Sequence, residues 1–334
     1  MLKEKIIHQG VLMGILRTPN IKRRLIALVL FWAVGIAFAI GIATPRSESQ
    51  SYQDEVMEAA VIPEEPRPSR AEQVVKALAA AYPLRIENAE FRNGDWAVLL
   101  DDTWYYYADG RLLPEELLDS VSDYSPVFFY NYQSELPTWR EPSPEWVNRL
   151  RDLNTARPAN PRRSSVYFLD DLWSSSNREE AWRQVTQVDF LGREVTVHNG
   201  IVSVLGRIEE KILEEAKNNT TVRQWIDSLG TVDAWSWRDV ASSGNRSYHA
   251  YGVAIDLLPR NLGGLATYWL WTSQQTPEWW AVPYSRRYHP PEEVIRTFES
   301  FGFIWGGKWP NYDTMHFEYR PELFILSGLE LEML

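Results

Sequence analysis

The run Val253-Ala254-Ile255-Asp256-Leu257-Leu258 limits the fold more than any other stretch of this chain. It is apolar and partly β-branched, the pattern of a buried strand, yet it carries a carboxylate in its middle. An ionised Asp in that position costs several kcal/mol unless it is paired or bound to a cation. Asp256 therefore asks for a partner: an arginine, backbone N–H groups, or a metal. Upstream, Gly252 permits a tight turn or close backbone approach after His249; downstream, His316 closes Asp313-Thr314-Met315-His316. His nitrogen and Asp oxygen are zinc donors. A set of three, His249, Asp256 and His316, leaves one position of a tetrahedral site open to water, which separates catalytic zinc sites from closed structural ones. The expected cofactor is one Zn2+ per chain.

Such a site must sit in a core, and the chain is large enough to build one. Its 334 residues are 45% hydrophobic and 24% charged, a globular balance with room for one or two ordinary domains. A net charge of −11 argues against a nucleic-acid partner, which selects a basic face. The absence of cysteine removes disulfides and thiol chemistry together.

Residues 25–45 carry no charge and are rich in Leu, Ile, Val, Ala and Phe. At about 20 residues they are long enough to cross a bilayer as a helix, and longer than the ~7–15 residue apolar core of a cleaved signal peptide. Lys3, Lys5, Arg17, Lys22, Arg23 and Arg24 precede them. By the positive-inside rule, the expectation is a single-pass membrane protein with residues 1–24 cytoplasmic and the remainder extracytoplasmic. A small-residue cleavage site near Ala37-Phe38-Ala39 keeps a removed signal peptide as the alternative. Ser, Gln, Glu and Pro make 46–68 a linker.

From 69 to 185 an accessory, aromatic-rich α+β region is expected. Ser69 and Glu72 read as a capping box ahead of Val74, Val75 and Leu78, so a helix starts there and stops at Pro83. Strand-like segments follow at 95–100 and 104–108, with a turn at Asp109-Gly110. Their aromatics, with Phe128, Phe129, Tyr130 and Tyr132 beyond, serve either as core and cross-strand pairs or as a stacking surface for glycan or peptide. Residues 137–177 are rich in Pro, Arg and Ser, with a helical stretch at 144–153, and wrap a domain rather than form one.

The domain expected at 186–334 is α+β, an antiparallel sheet with packed helices. Ile201, Val204, Leu205, Ile208 and Ile212 mark an amphipathic helix, and a shorter one with Val222 and Trp225 ends at Gly230. A strand at 231–238 leads to the metal motif. A Trp-rich insertion (Trp269, Trp271, Trp279, Trp280) follows Asp256, and Pro290-Pro291 opens a helix closed by Gly302.

The pattern Ser247-x-His249-x-x-Gly252-x-Ala254-x-Asp256, followed by Asp313-x-x-His316, resembles that of the LAS metallopeptidases, and particularly the D-alanyl-D-alanine carboxypeptidase (VanY-like) branch. Gly302 to Gly307 and Met315 to Glu318 also look like that branch, and the resemblance covers roughly residues 188–323. It implies the LAS/hedgehog-type peptidase fold, with His249, Asp256 and His316 as zinc ligands and Asp313 as the base that deprotonates water. Strand periodicity puts Glu318 beside His316, so Glu318 is expected to orient that ligand, while the turn-like Pro310 to Asp313 lets Asp313 reach the metal. Arg238, in Trp235-Ser236-Trp237-Arg238, resembles the family's upstream arginine element and is the first choice to hold negative charge; Arg246 is the other. Ser247, Tyr251 and His289 join Arg246 as candidates to touch substrate, whereas His198 is read as structural. The resemblance implies peptidoglycan stem peptides as substrate, with D-Ala-D-Ala carboxypeptidase activity first and endopeptidase activity second. A non-catalytic wall-binding or scaffold protein is the reading from another class.

Overall fold

The computed structural model describes residues 68–136, 143–155, 162–240 and 245–332, and 67–334 form one compact unit. The expectation of a single-pass membrane protein is corrected: among the described residues no helix is long and apolar enough to cross a membrane. The segment 25–45, with its signal-peptide alternative and nearly all of the linker, lies outside them.

Helix α1 (Arg70–Ala81) starts where Ser69 caps it, the hydroxyl accepting the Glu72 N–H at 3.1 Å, and it buries Val74, Val75 and Leu78. Strands β1 (Ile86–Arg92), β2 (Asp95–Leu100), β3 (Thr103–Tyr106) and β4 (Leu113–Pro114) form an antiparallel sheet in that order. Asn93-Gly94 and Asp101-Asp102 join the first three strands, every residue at positive φ, the backbone that two-residue hairpins need to follow strand twist. Tyr105 and Tyr106 are buried, so for them the core reading holds.

Next come β5 (Tyr124–Ser125), α2 (Pro144–Thr155), β6 (Arg163–Ser164), α3 (Tyr167–Leu172) and α4 (Arg178–Gln184), with β5 and β6 paired in parallel. The hairpin β7 (Val185–Phe190) and β8 (Arg193–His198) precedes α5 (Val202–Asn218). That helix buries Val204, Leu205, Ile208 and Ile212, as its 3.6-residue spacing demands.

Helix α6 (Thr220–Ser228) stops before Gly230, which lies in β9 (Leu229–Asp233) instead of capping the helix. A Cβ at Gly230 would stand 3.1 Å from the Arg260 backbone, so the glycine serves strand approach. After α7 (Tyr248–Tyr251) come β10 (Ala254–Pro259), α8 (Trp269–Ser273), α9 (Glu292–Ser300), β11 (Phe303–Trp305), β12 (His316–Tyr319) and α10 (Pro321–Leu326). The antiparallel order is β11-β12-β10-β9.

One apolar core runs from Val74 and Val98 through Phe168 and Ile208 to Ile255, Phe298 and Phe317. A satellite cluster of Trp269, Trp279, Trp280 and Tyr312 sits beneath the loop that leads into β12. The architecture is α+β, antiparallel sheets with packed helices.

Candidate metal centre

Asp256 and His316 are direct partners across β10 and β12, so their side chains rise together from one face of the sheet. His249 reaches that face from α7. Ser247 caps this one-turn helix by accepting the His249 N–H, and Gly252 ends it in the left-handed region at φ 73°. A Cβ at Gly252 would lie 2.9 Å from both the His198 nitrogen and Val185 Cγ1. The Gly252 carbonyl accepts the His198 N–H at 2.8 Å, so the turn is locked onto β8.

Three donor atoms converge. His316 Nδ1 lies 2.9 Å from Asp256 Oδ1, His249 Nε2 3.1 Å from His316 Nδ1, and His249 Nε2 3.3 Å from Asp256 Oδ1. A tetrahedral zinc with bonds near 2.0–2.1 Å has ligand atoms about 3.3 Å apart, so the triangle is of the size the ion requires. The far ring nitrogens are already committed: His249 Nδ1 donates to the Ala234 carbonyl and His316 Nε2 to Glu318 Oε2. These bonds fix both tautomers and leave a lone pair on each converging nitrogen, the outer arrangement usual for metal-ligating histidines. His249, Asp256 and His316 can therefore hold a metal ion.

The electrostatics ask for positive charge at the same place. Burial opposes charge on His316, but the carboxylates of Asp256 and Glu318 outweigh it and push its pKa up to about 10. Burial also opposes ionisation of Asp256, yet His249 and His316 hold its carboxyl well below the usual carboxylate range. A proton fills the role that a metal cation fills more strongly.

Asp313 stands three residues before His316 on a loop fastened from both sides. Thr314 N–H donates to Thr267 O at 2.8 Å, Trp269 N–H to Tyr312 O at 2.9 Å and Asp313 N–H to Gly306 O at 3.1 Å. The Trp-rich insertion thus packs under Tyr312 and supports the loop, where the sequence left its place open. Asp313 Oδ1 is buried and has no hydrogen-bond partner among the described residues. Burial, with the nearby Asp256 and Glu318 charges, pushes its carboxyl up to about 7 against the opposing pull of His316 and Arg238. Arg238 is exposed on the loop after β9, and its charge also reaches Tyr268 beside Asp313.

The other sequence candidates are placed as follows. Glu318 bonds His316 and pairs with Arg320 at 3.4 Å. Ser247 is buried with its hydroxyl spent on the α7 cap. Tyr251 is buried too, its hydroxyl donating to Asp170 at 2.8 Å, and Arg246 pairs with the same carboxylate at 2.6 Å. His289 is exposed, stacked on Tyr284 with centroids 4.8 Å apart and Nδ1 donating to the Pro290 carbonyl, and the structure does not bring it to the metal group. His198 donates from Nε2 to Trp173 O and accepts the Gly200 N–H at Nδ1, both at 3.0 Å. Sequence reasoning missed Asp170, and it missed Trp309, whose ring lies 5.5 Å from that of His316. The one sequence signal for Asp170 was an acidic pair inside the apolar run Tyr167 to Leu172.

Two histidines and an aspartate converge on an antiparallel sheet, beside a buried and unpartnered carboxylate, and three such donors are the ligand set of catalytic zinc sites. Residues 241–319 match the family model described as D-alanyl-D-alanine carboxypeptidase. Over this segment the chain is similar to the D-alanyl-D-alanine carboxypeptidase family, in keeping with the resemblance its motifs carry. Residues 74–129 match a second model, a domain of unknown function. Comparison with the curated proteins and with the solved structures finds no match.

Proposed function

We propose that this protein is a zinc peptidase that trims peptidoglycan stem peptides by removing the last residue of a D-Ala-D-Ala end. The observation that carries the reading is Asp313 Oδ1, a buried oxygen without a protein partner close to three converged metal donors. Most buried carboxylate oxygens are hydrogen-bonded, so an orphan whose charge is felt by Asp256 and His316 is read as kept for a partner that arrives with the substrate.

When bound, zinc lowers the pKa of a coordinated water to about 7 and polarises a carbonyl. The protein supplies the rest. His249, Asp256 and His316 hold the ion, and Ala234 O and Glu318 keep the two imidazoles in the ligating tautomer. Asp313 takes the proton of the attacking water at its free oxygen and delivers it to the amine that leaves, the general-base and general-acid halves of one cycle. Arg238, exposed and electrostatically coupled to Asp313, pairs with the terminal carboxylate of the substrate and so registers the last peptide bond at the metal.

The test is metal analysis of the purified full chain together with hydrolysis of muropeptides read by mass, set against His316→Ala and Asp313→Ala. The expected result is one zinc per chain, lost in His316→Ala and kept in Asp313→Ala, with a product shorter by one Ala that disappears in both. Release of larger fragments moves the assignment to an endopeptidase. Bound zinc without turnover of any wall peptide leaves a binding protein and removes the catalytic reading.

A further inference from the structure

A cavity of about 810 Å³ opens beside the metal group, within the range of pockets that enclose small ligands and short peptides. Phe128, Tyr130 and Tyr132 of the accessory region line one side, Arg246 and Trp309 flank it, and Glu318 is on its floor. The family segment supplies only part of this lining.

Three features tie the cavity to the site. Glu318 is the next residue after His316 on the same face of β12, so the cavity floor begins about 6.6 Å from the ligand along the strand. The loops that carry Arg238 and Asp313 run directly into its walls, one through Val240 and Arg246, the other through Trp309 and Pro310. Trp309 is held by both sides: its Nε1 donates to the Tyr130 hydroxyl at 2.9 Å while its ring lies against His316.

The chemistry of the lining is selective. Phe128 is exposed, and Tyr130 and Trp309 offer partly buried aromatic surface. The charges on the floor are balanced, since Glu318 pairs with His316 and Arg320, and Lys308 pairs with Glu299. Arg246 differs. Its guanidinium lies 4.4 Å from the Trp237 ring, and its side-chain hydrogen bonds all leave from Nη1: to Asp170 Oδ1 at 2.6 Å and to the carbonyls of Ser175 and Ser176 at 3.5 and 3.3 Å. The Nε–Nη2 edge, which grips carboxylates in a two-bond fork, makes no hydrogen bond among the described residues.

We infer that this cavity is the subsite for the peptide on the acyl side of the scissile bond, and that it selects a carboxylate-bearing peptide through the Nε–Nη2 edge of Arg246. This rests on the peptidase reading above. An extended peptide advances about 3.3 Å per residue, so a chain with its reacting carbonyl at the metal brings its second and third preceding residues over Glu318 and against the aromatic wall. A carboxylate carried on one of these residues meets Arg246.

The experiment uses the metal-stripped full chain, so that binding is read without turnover. Quenching of tryptophan fluorescence is titrated with a stem pentapeptide that ends in D-Ala-D-Ala and bears its free side-branch carboxylate, and with the same peptide amidated at that group. The free acid is expected to bind about tenfold more tightly, the value of one charge-assisted fork, and Arg246→Gln removes the difference. Because Arg246 also anchors Asp170, the fold of that variant is checked by circular dichroism. Val127→Trp, which fills the cavity without touching Asp170, is expected to weaken both peptides alike. Equal affinity for acid and amide in the unaltered chain, or discrimination that persists in folded Arg246→Gln, overturns the inference. Zinc is then restored: selective binding with no hydrolysis keeps the subsite and sinks the peptidase reading, whereas hydrolysis indifferent to the amide does the reverse.

Discussion

Asp313 is the base of the proposed reaction, and its titration can be followed. It accepts a proton only when ionised, and burial raises its pKa, so activity falls as pH drops through that value. The Arg238 charge pulls the same pKa down, hence Arg238→Met moves the acid limb of kcat/KM to higher pH; a limb that stays in place means that the arginine does not act on the base. Asp313→Asn, nearly isosteric, is expected to lower kcat by about 10²–10⁴ with zinc retained by metal analysis. His198 gives a second titration, with stability as its readout. Burial lowers its pKa, so the unfolded chain takes up the proton first; the stability this contributes is fully present above the ordinary value of 6.5 and is lost as pH falls below it. The fall in Tm between neutral and mildly acidic pH is therefore expected to be shallower in His198→Asn. At this scale the sequence is legible where a residue contradicts its surroundings. Asp256 stands out because its neighbours are apolar, whereas Asp170 does not, because its partners Arg246 and Tyr251 are 76 and 81 positions away.

Helix α7 shows how much depends on one short element. A single turn carries His249, and its end is set by Gly252, where positive φ and the absent Cβ are both required. Gly252→Ala forces an L side chain into the left-handed region and against β8, at a cost of about 1–3 kcal/mol before the clash is relieved. The expected outcome is a lower Tm together with weaker zinc binding, because the same displacement moves His249 off Asp256; an unchanged zinc affinity in a destabilised variant separates the turn from ligand placement. Elements with a full apolar period, such as α5 and α9, are readable from spacing alone. The β7–β8 hairpin is not, because β7 is mostly exposed or half-buried and its Leu191-Gly192 turn opens with leucine at positive φ, where asparagine, aspartate or glycine is the usual signal. Gly230 misleads for a related reason: a glycine after an amphipathic run signals a helix cap, and only the neighbouring strand reveals that it is there for Arg260.

At the scale of the whole molecule, the accessory region and the peptidase sheet are joined by charge as well as by a shared core. Arg320 is buried just past the end of β12, at the start of α10; its Nε donates to Glu322, its Nη1 pairs with Glu318, and its Nη2 donates to the Phe128 carbonyl. Glu322 in turn accepts the Tyr82 hydroxyl at 2.8 Å, so a chain of bonds runs from the end of α1 to the carboxylate that holds the His316 ring. Glu318, Arg320 and Glu322 are neighbours in the sequence, but Tyr82 lies 240 positions away, which is why no local pattern announced the link. Removing one member of a buried charged network leaves the others unpaired, so Arg320→Met is expected to cost about 3–5 kcal/mol, while Tyr82→Phe, which deletes one bond and leaves the ion pairs, costs about 1–3 kcal/mol. If core and network make the two regions one cooperative unit, Tyr82→Phe lowers a single transition by the same amount in far-UV circular dichroism and in tryptophan fluorescence. Two separated transitions, with the earlier one alone responding to Tyr82→Phe, mean that the accessory region unfolds by itself and that Glu318 holds His316 without its help.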